Sequence, residues 1–508
     1  MKKLNCLFLV LFANTAIMSA YATASFEQKV ENLIQEHLPN ATIGLVIQDP
    51  NTGKMIIEKR SHDNFYPASN TKLFTAAAAL KFFGPNFQFQ TSLHAPLNKI
   101  KDGILGDNLY IVFRGDPSLT TADLTSLIKQ FKAKGINQIK GNVIIDDKSF
   151  EDPPYAPGWT WDSIPWSYSA PVTSIILNEN KVRLKLEQPH SIYEEIKVEQ
   201  ADESIPPLKI ESKIIAVSQE ESEHSCQLNV KVEDNNIRLN GCWPIDKTPS
   251  NLELALDAPK LLAKQVITQA LAENEIKLTG KIEFRKAPKE VPAILIKRSL
   301  ALKSLLRQVL AESNNLYSES LTKALGLAFL GQGSFQVGIH AIQGILTKDT
   351  QMDFSRMRLS DGSGQSRYNL VSPFLISQLL YHLYQDPHFP VFYASLSTSG
   401  KNGSLIDRMK NKNMQGKIVA KTGTAIGTSA LSGYFTANSG KQYLFSLLIN
   451  QSLHNNVARK SFEDKLCRLM LEEPWLQTAK AEKQAQPSQP IHRNESGKPI
   501  STVPSVPM

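Results

Sequence analysis

Ser69 and Lys72 stand three residues apart in PASNTKLFT (67–75), at the front of an alanine-rich run. Residues at that spacing share one face of a helix, so the lysine amine can lie beside the serine hydroxyl. A serine hydroxyl is a poor nucleophile until a base takes its proton, and a lysine serves as that base only when burial or nearby cations lower its pKa. The pair alone is weak. Ser126 with Lys129 and Ser320 with Lys323 repeat it, and there two polar residues on the exposed side of a helix are the expectation. Ser69 differs in having Pro67 and Ala68 before it, at an entry from strand to helix. Unpaired N–H groups and the positive end of the helix dipole can stabilise a developing oxyanion at such a place.

Two distant motifs offer the remaining groups. Ser313-Asn314-Asn315 falls in the gap between two helical runs, where a hydroxyl and an amide can point into a cleft. A helix cap is the plainer alternative for that triplet. Lys421-Thr422-Gly423 closes the apolar run Ile418-Val419-Ala420. A lysine and a threonine on a strand edge suit a substrate carboxylate, and a glycine lets a peptide-like ligand lie along the strand; a strand-ending turn is the alternative. No rival system is visible: the ten histidines show no H-E-x-x-H spacing and the chain has no G-x-S-x-G elbow. Neither a zinc peptidase nor a histidine-dependent serine hydrolase is therefore expected, nor any metal or other cofactor.

These residues need elements to hold them. ATIGLVIQDPNTGKMIIEKR reads as two strands around a turn containing Gly53. A helix is expected from Thr71 to Phe83, stopped by Gly84-Pro85. Residues from roughly 90 to 290 change to short strand-like runs separated by turns, with a few helical pieces such as LTSLIKQFKAKG. Helical periodicity returns at Leu300 to Leu310 and Leu316 to Leu330, then at 336 to 346 and 372 to 385. GKIVAKTGT, ALSGYFTA and KQYLFSLLIN follow as β-rich runs able to pair with the N-terminal strands, and a last helix spans about 456 to 472.

The 508 residues are 42% hydrophobic and 20% charged, a globular composition long enough for more than one core. Two lysines, an apolar stretch and Ala22-Thr23-Ala24 read as an exported leader over 1–24. A membrane anchor is the competing reading, but Asn14 and Thr15 interrupt the run short of the ~20 apolar residues a span needs. Loss of Lys2 and Lys3 with that leader lowers the net charge of +8 by two, to +6. The basic residues are spread among acidic ones, which argues against a nucleic-acid partner and leaves an anionic wall or membrane surface compatible. Cys226 and Cys242 flank the turn formers Asp234-Asn235-Asn236, so a disulfide across a hairpin is plausible in an exported chain. Cys467 reads as a buried helical cysteine. Residues 475–508, rich in Pro, Gln and Ser, read as a disordered tail.

In the order S-x-x-K, S-x-N, K-T-G, the motifs form the set of active-serine penicillin-recognising enzymes. The chain resembles penicillin-binding proteins of the D-alanyl-D-alanine carboxypeptidase and endopeptidase type, the low-molecular-mass class C branch with a large insert between the first two motifs. GDPSLTTADL, GWTWDSIPWSYSAPVTSIILNENKV, SNNLYSESL, LSDGSGQSRYNLVSP, GSLIDRM and VAKTGTAIGTSALSGYF carry that resemblance over about residues 30–470. Asn314 departs from it, since the family usually has an acidic residue there.

The resemblance implies an α/β (α+β) fold: a β-lactamase/transpeptidase-like domain, with an antiparallel sheet flanked by helices, from residues 25–90 and 291–474. A β-rich insert of one or two small domains would occupy 91–290. It implies Ser69 as the acylated nucleophile, Lys72 as its proton acceptor and Ser313 as a proton relay. Asn315 would hold the substrate amide, Lys421 and Thr422 the terminal carboxylate, with Gly423 leaving room and the N–H groups of Ser69 and Thr424 forming the oxyanion hole. Asp146 and Arg367 resemble positions near the substrate side chain, with structural ion pairing as the alternative. The implied enzyme is a periplasmic serine DD-peptidase acting on peptidoglycan stem peptides and acylated by β-lactams. A β-lactamase and a silent wall-binding protein are the alternatives, and peripheral membrane association and a homo-oligomer stay open.

Overall fold

The computed structural model describes residues 25–187, 189–246, 251–473 and 475. The expected leader, and all of the expected tail except Trp475, lie outside the described residues.

A six-stranded antiparallel sheet is the frame of the molecule, in the order Ser397–Thr398, Ile418–Ala425, Thr428–Thr436, Gln442–Asn450, Thr42–Gln48, Met55–Lys59. The two ends of the chain meet in it, from Thr42 opposite Asn450 to Gln48 opposite Leu444. The inner strands, such as TIGLVIQ and QYLFSLLIN, are buried almost throughout. Helices cover both faces, so these strands read as continuous apolar runs instead of alternating ones.

On one face, Phe26–His37 and Asn456–Leu471 pack through Phe26, Val30, Ile34, Phe462 and Leu466, with Cys467 buried beside them. On the other face lies Lys72–Phe83, surrounded by Leu302–Leu310, Asn315–Leu330, Phe335–Thr350 and Pro373–Tyr384. Its residues Lys72 to Leu80 are all buried. Four consecutive alanines give neighbouring elements room to approach it, and Gly84, at φ 74, ends it with an N–H bond to Leu80.

The chain enters the insert through Gln90–His94 and returns through Ala293–Arg298, which are antiparallel neighbours. Leu109–Val112, Val143–Asp146 and Ile282–Phe284 complete that five-stranded sheet. Helices Thr121–Ala133 and Pro259–Glu273 pack on the insert core. In the second, Leu262, Val266, Ala270 and Ala263, Ile267, Leu271 recur at helical spacing amid the turn-separated strands around it. Two three-stranded sheets follow, and one continuous apolar core joins Leu93 and Ile111 to Leu184 and Leu239. Asn229–Glu233 and Asn236–Pro244 form the hairpin around Asp234 and Asn235, and Cys226 and Cys242 are bonded across it with Cα atoms 5.9 Å apart.

Candidate active site

Ser69 lies in a tight turn, Ala68–Thr71, that runs directly into the helix Lys72–Phe83. Three contacts fix this turn. Asn70 is buried and donates to Ser432 Oγ on the sheet at 2.8 Å. Thr71 Oγ1 donates to the Ala68 carbonyl at 3.0 Å. Gly364, at φ +86, passes so close that a Cβ there would sit 1.8 Å from the same carbonyl oxygen.

Lys72 is fully buried, and its Nζ lies 3.0 Å from Ser69 Oγ, 2.6 Å from Asn315 Oδ1 and 2.7 Å from the Ser363 carbonyl oxygen. Burial lowers its pKa to about 7, against the opposing pull of Asp361 and Glu319. A neutral amine has two N–H donors and one lone pair. Asn315 and Ser363 accept the two N–H bonds, which leaves the lone pair to receive the Ser69 proton. That is the arrangement a general base requires.

Ser313 sits in the loop between Leu302–Leu310 and Asn315–Leu330, in the left-handed region at φ 61. Lys421 is also fully buried; its Nζ donates to Ser313 Oγ and to the Thr422 carbonyl, each at 2.8 Å. Burial first, then the charge of Lys72, hold Lys421 well below the usual lysine pKa. The capping alternative is realised by Asn314, whose Oδ1 accepts the Tyr317 N–H at 3.2 Å. The triplet is thus a cap and a source of site groups at once.

Thr422 Oγ1 lies 2.7 Å from Ser404 Oγ. A Cβ on Gly423 would come within 3.1 Å of the Pro67 carbonyl oxygen and of Ala430 Cβ, so the strand presses against the Ser69 turn. Only Val419 and Ala420 pair with Thr398 and Ser397, and among the described residues the edge from Lys421 to Ala425 has no strand partner on that side. Thr424 is exposed there.

Arg367 stands at the end of the same strand, exposed, with its guanidinium 4.9 Å from the centre of the Tyr66 ring and Nη1 3.5 Å from the Ile426 carbonyl. Asp146 is not drawn into this group. It is buried in the insert, where its carboxyl accepts the N–H groups of Lys148 and Ala287, each at 3.0 Å.

Of the repeated serine–lysine pairs, Ser126 and Lys129 are exposed as expected, but Ser320 and Lys323 are buried. Lys323 Nζ donates to the carbonyls of Glu151, Pro153 and Val172, which ties the insert to the helix Asn315–Leu330. Backbone acceptors from a distant segment satisfy this buried amine, and sequence spacing carries no sign of them.

Several participants stand outside the three motifs. Glu319, buried, accepts the N–H groups of Gly362 and Ser363 at 3.0 and 2.7 Å, and burial with the nearby Asp361 raises its pKa to about 8. Asp361 accepts from Gly364 N, Ser366 N, Asn369 Nδ2 and, from the insert, Trp159 Nε1 at 2.9 Å. Together these carboxyl groups hold the Ser363 carbonyl against Lys72. Gln365 Oε1 and the Tyr168 carbonyl, also from the insert, each accept from Asn315 Nδ2 at 2.8 Å. SDGSGQS lies in a segment that carries the family resemblance, but its own spacing gives it no role, because its partners in the site range from Glu319, 43 positions away, to Lys72, 291 positions away.

The chain is 28% identical to the D-alanyl-D-alanine carboxypeptidase DacB of Haemophilus influenzae, over 89% of this chain and 94% of that protein. It is 28% identical to a D-alanyl-D-alanine carboxypeptidase of an Actinomadura species, over 84% and 81%. The crystal structure of penicillin binding protein 4 (dacB) from Haemophilus influenzae superposes with a TM-score of 0.79 at 26% identity, over 87% of this chain and 99% of that one. A second structure of that protein, complexed with a β-lactam, gives 0.75 at 25% identity, covering 87% and 99%. The family model described as D-Ala-D-Ala carboxypeptidase 3 (S13) matches residues 26–472, and the chain therefore belongs to that family of serine peptidases.

Proposed function

We propose that the protein hydrolyses the D-alanyl-D-alanine ends or D-configured cross-links of peptidoglycan stem peptides through an acyl-enzyme on Ser69. The observation that carries this reading is the coordination of Lys72: its buried Nζ lies 3.0 Å from Ser69 Oγ, with Asn315 Oδ1 and the Ser363 carbonyl as its other partners.

The Ser69 proton passes to Lys72 Nζ as Oγ attacks the carbonyl carbon of the penultimate residue. The N–H groups of Ser69 and Thr424 receive the oxyanion. The C–N bond then breaks, and the proton reaches the leaving amine by way of Ser313. Water attacks the ester and gives its proton to Lys72, which returns one to Ser69 Oγ as the C–O bond breaks and the acid leaves. Lys421 and Thr422 bind the terminal carboxylate at the open strand edge, Gly423 leaves the backbone accessible, and Asn315 orients the acyl-side amide. Arg367, beside that edge, faces the ligand; Asp146 keeps a structural role. The catalytic unit is built from residues 25–90 and 291–474, with the insert of 91–290 as its wall.

β-Lactams are expected to acylate Ser69, as a β-lactam is bound in the solved structure of the Haemophilus relative. Export by the leader 1–24 to the periplasm matches such a substrate, and among the described residues no helix is long and apolar enough to cross a membrane. Labelling with a fluorescent penicillin tests the reading. The wild-type protein and Ser126→Ala should be labelled and Ser69→Ala should not; an unlabelled wild type would overturn it. Slow release of the bound penicilloyl group separates a peptidase from a β-lactamase.

A further inference from the structure

Asn178, Glu179 and Asn180 occupy three consecutive left-handed conformations, at φ 49, 58 and 48. Side chains seldom tolerate this region, and such strain persists only where the surroundings over-determine it. Here they do. Asn180 is buried, donates to the Pro171 and Ile175 carbonyls at 3.0 and 3.2 Å, and accepts from Leu177 N. Asn178 accepts the Thr121 N–H at 2.9 Å and donates to Ser204 Oγ at 2.8 Å. The residue held between these two anchors is Glu179. Its Oε2 accepts from Asn314 Nδ2 at 2.7 Å, and Lys181 Nζ stands 3.3 Å from the same oxygen.

Asn314 separates Ser313 from Asn315. Its own Oδ1 is committed to the Tyr317 N–H, so its amide bridges the insert and the first turn of the helix. Ser313, its neighbour, is itself left-handed at φ 61 and receives its hydrogen bond from Lys421. A shift of the Asn314 side chain therefore moves a strained backbone whose two flanking residues contact both site lysines.

We propose that Glu179 is a positioning residue for acyl transfer, acting through Asn314 to hold Ser313 and Asn315 in register with Lys421 and Lys72. The inference rests on the role of Ser313 and Asn315 in the proposed reaction. It also gives Asn314 a reason in this chain: the partner supplied by the insert is a carboxylate, and an acidic residue at 314 would face it across hydrogen-bonding distance.

An exchange of donor and acceptor tests this without altering length. Asn314→Asp keeps the helix cap, since aspartate caps as well as asparagine. It nevertheless sets two carboxylates against each other, and like charges in contact are strongly disfavoured. Glu179→Gln in the same chain restores a bond in the opposite sense, from the glutamine amide to the aspartate. The second-order rate constant of penicillin acylation near pH 8 and the melting temperature are measured for wild type, both single variants and the double.

The expected result is a loss of about 10-fold or more in Asn314→Asp and recovery to within about 3-fold of wild type in the double variant, a 10-fold change corresponding to about 1.4 kcal/mol. Unchanged acylation in Asn314→Asp overturns the inference, as does a lower melting temperature with normal acylation, which marks a purely structural contact. Equal loss without rescue overturns it too. Failure of wild type itself to be acylated removes the proposed function and the inference together, which distinguishes the two failures.

Discussion

Lys421 donates to Ser313 at 2.8 Å while the charge of Lys72, the other buried lysine of the site, helps to hold Lys421 well below the ordinary lysine pKa. Two ammonium groups in one desolvated site repel each other, so gaining a proton on either amine disfavours the second. The site therefore favours neutral amines, which can accept protons as well as donate them.

Lys72 sets the acidic limb of the rate. With its pKa lowered to about 7, the amine is mostly neutral above that pH and protonated below it. Acylation by penicillin should rise with pH through a midpoint near 7 and level off above it. Lys72→Ala should lose roughly 10²–10⁴-fold of the acylation rate, the usual worth of general base catalysis. A pH-independent acylation rate between 5 and 9 would contradict this role for Lys72.

Glu319 should leave a signature in stability. Burial and the nearby Asp361 push its folded pKa up to about 8, above the ordinary carboxyl value of 4.5. The native state therefore keeps a proton that the unfolded chain releases between those pH values. Its contribution is fully present below about 4.5 and is lost as pH rises through 8, with a slope of up to about 1.4 kcal/mol per pH unit. Denaturant titrations at several pH values should show that slope flattened in Glu319→Gln. An unchanged slope would mean that another group carries the pH dependence.

Gly423 should affect rate more than folding. Alanine there meets the Pro67 carbonyl oxygen and Ala430 Cβ at 3.1 Å and Ala68 Cβ at 3.2 Å, so the strand or the Ser69 turn must give by a few tenths of an ångström. Small displacements of a nucleophile are costly to rate. Gly423→Ala should acylate about 10²-fold more slowly while its melting temperature falls by only a few degrees. Full activity would show that the turn and strand tolerate the methyl group.

Loss of the disulfide should do the opposite. Cys226 and Cys242 are 16 positions apart, and a loop of that size is stabilised by about 3 kcal/mol in the chain-entropy account. The bond ties the outer hairpin of the insert, and its cysteines make none of the contacts described around Ser69. Cys242→Ser should lower stability by about 2–3 kcal/mol, measured by denaturant unfolding, and still be labelled by penicillin. Loss of labelling in a folded variant would reveal a coupling between that hairpin and the site.

The amino-acid sequence by itself determined the local half of this site. Pro67 and Ala68 before Ser69, the three-residue step to Lys72, and the apolar run before Lys421 each describe a short-range geometry, and helix and strand periods convert short spacings directly into neighbouring side chains. It also carried part of the frame, because 42–48 and 442–450 read as β-rich runs able to pair with one another, and they are neighbours in the sheet. What only the tertiary structure decided is how buried polar groups find their partners. Lys323 follows a serine by three positions, as Lys72 does, yet became an anchor for three carbonyls of the insert. Glu319, Ser363, Gln365 and Glu179 lie in segments that carry the family resemblance, but their individual roles were not legible, because each acts through a residue far away in the chain. A buried charge is tolerated only when such partners arrive, and long-range packing, which no local period encodes, brings them.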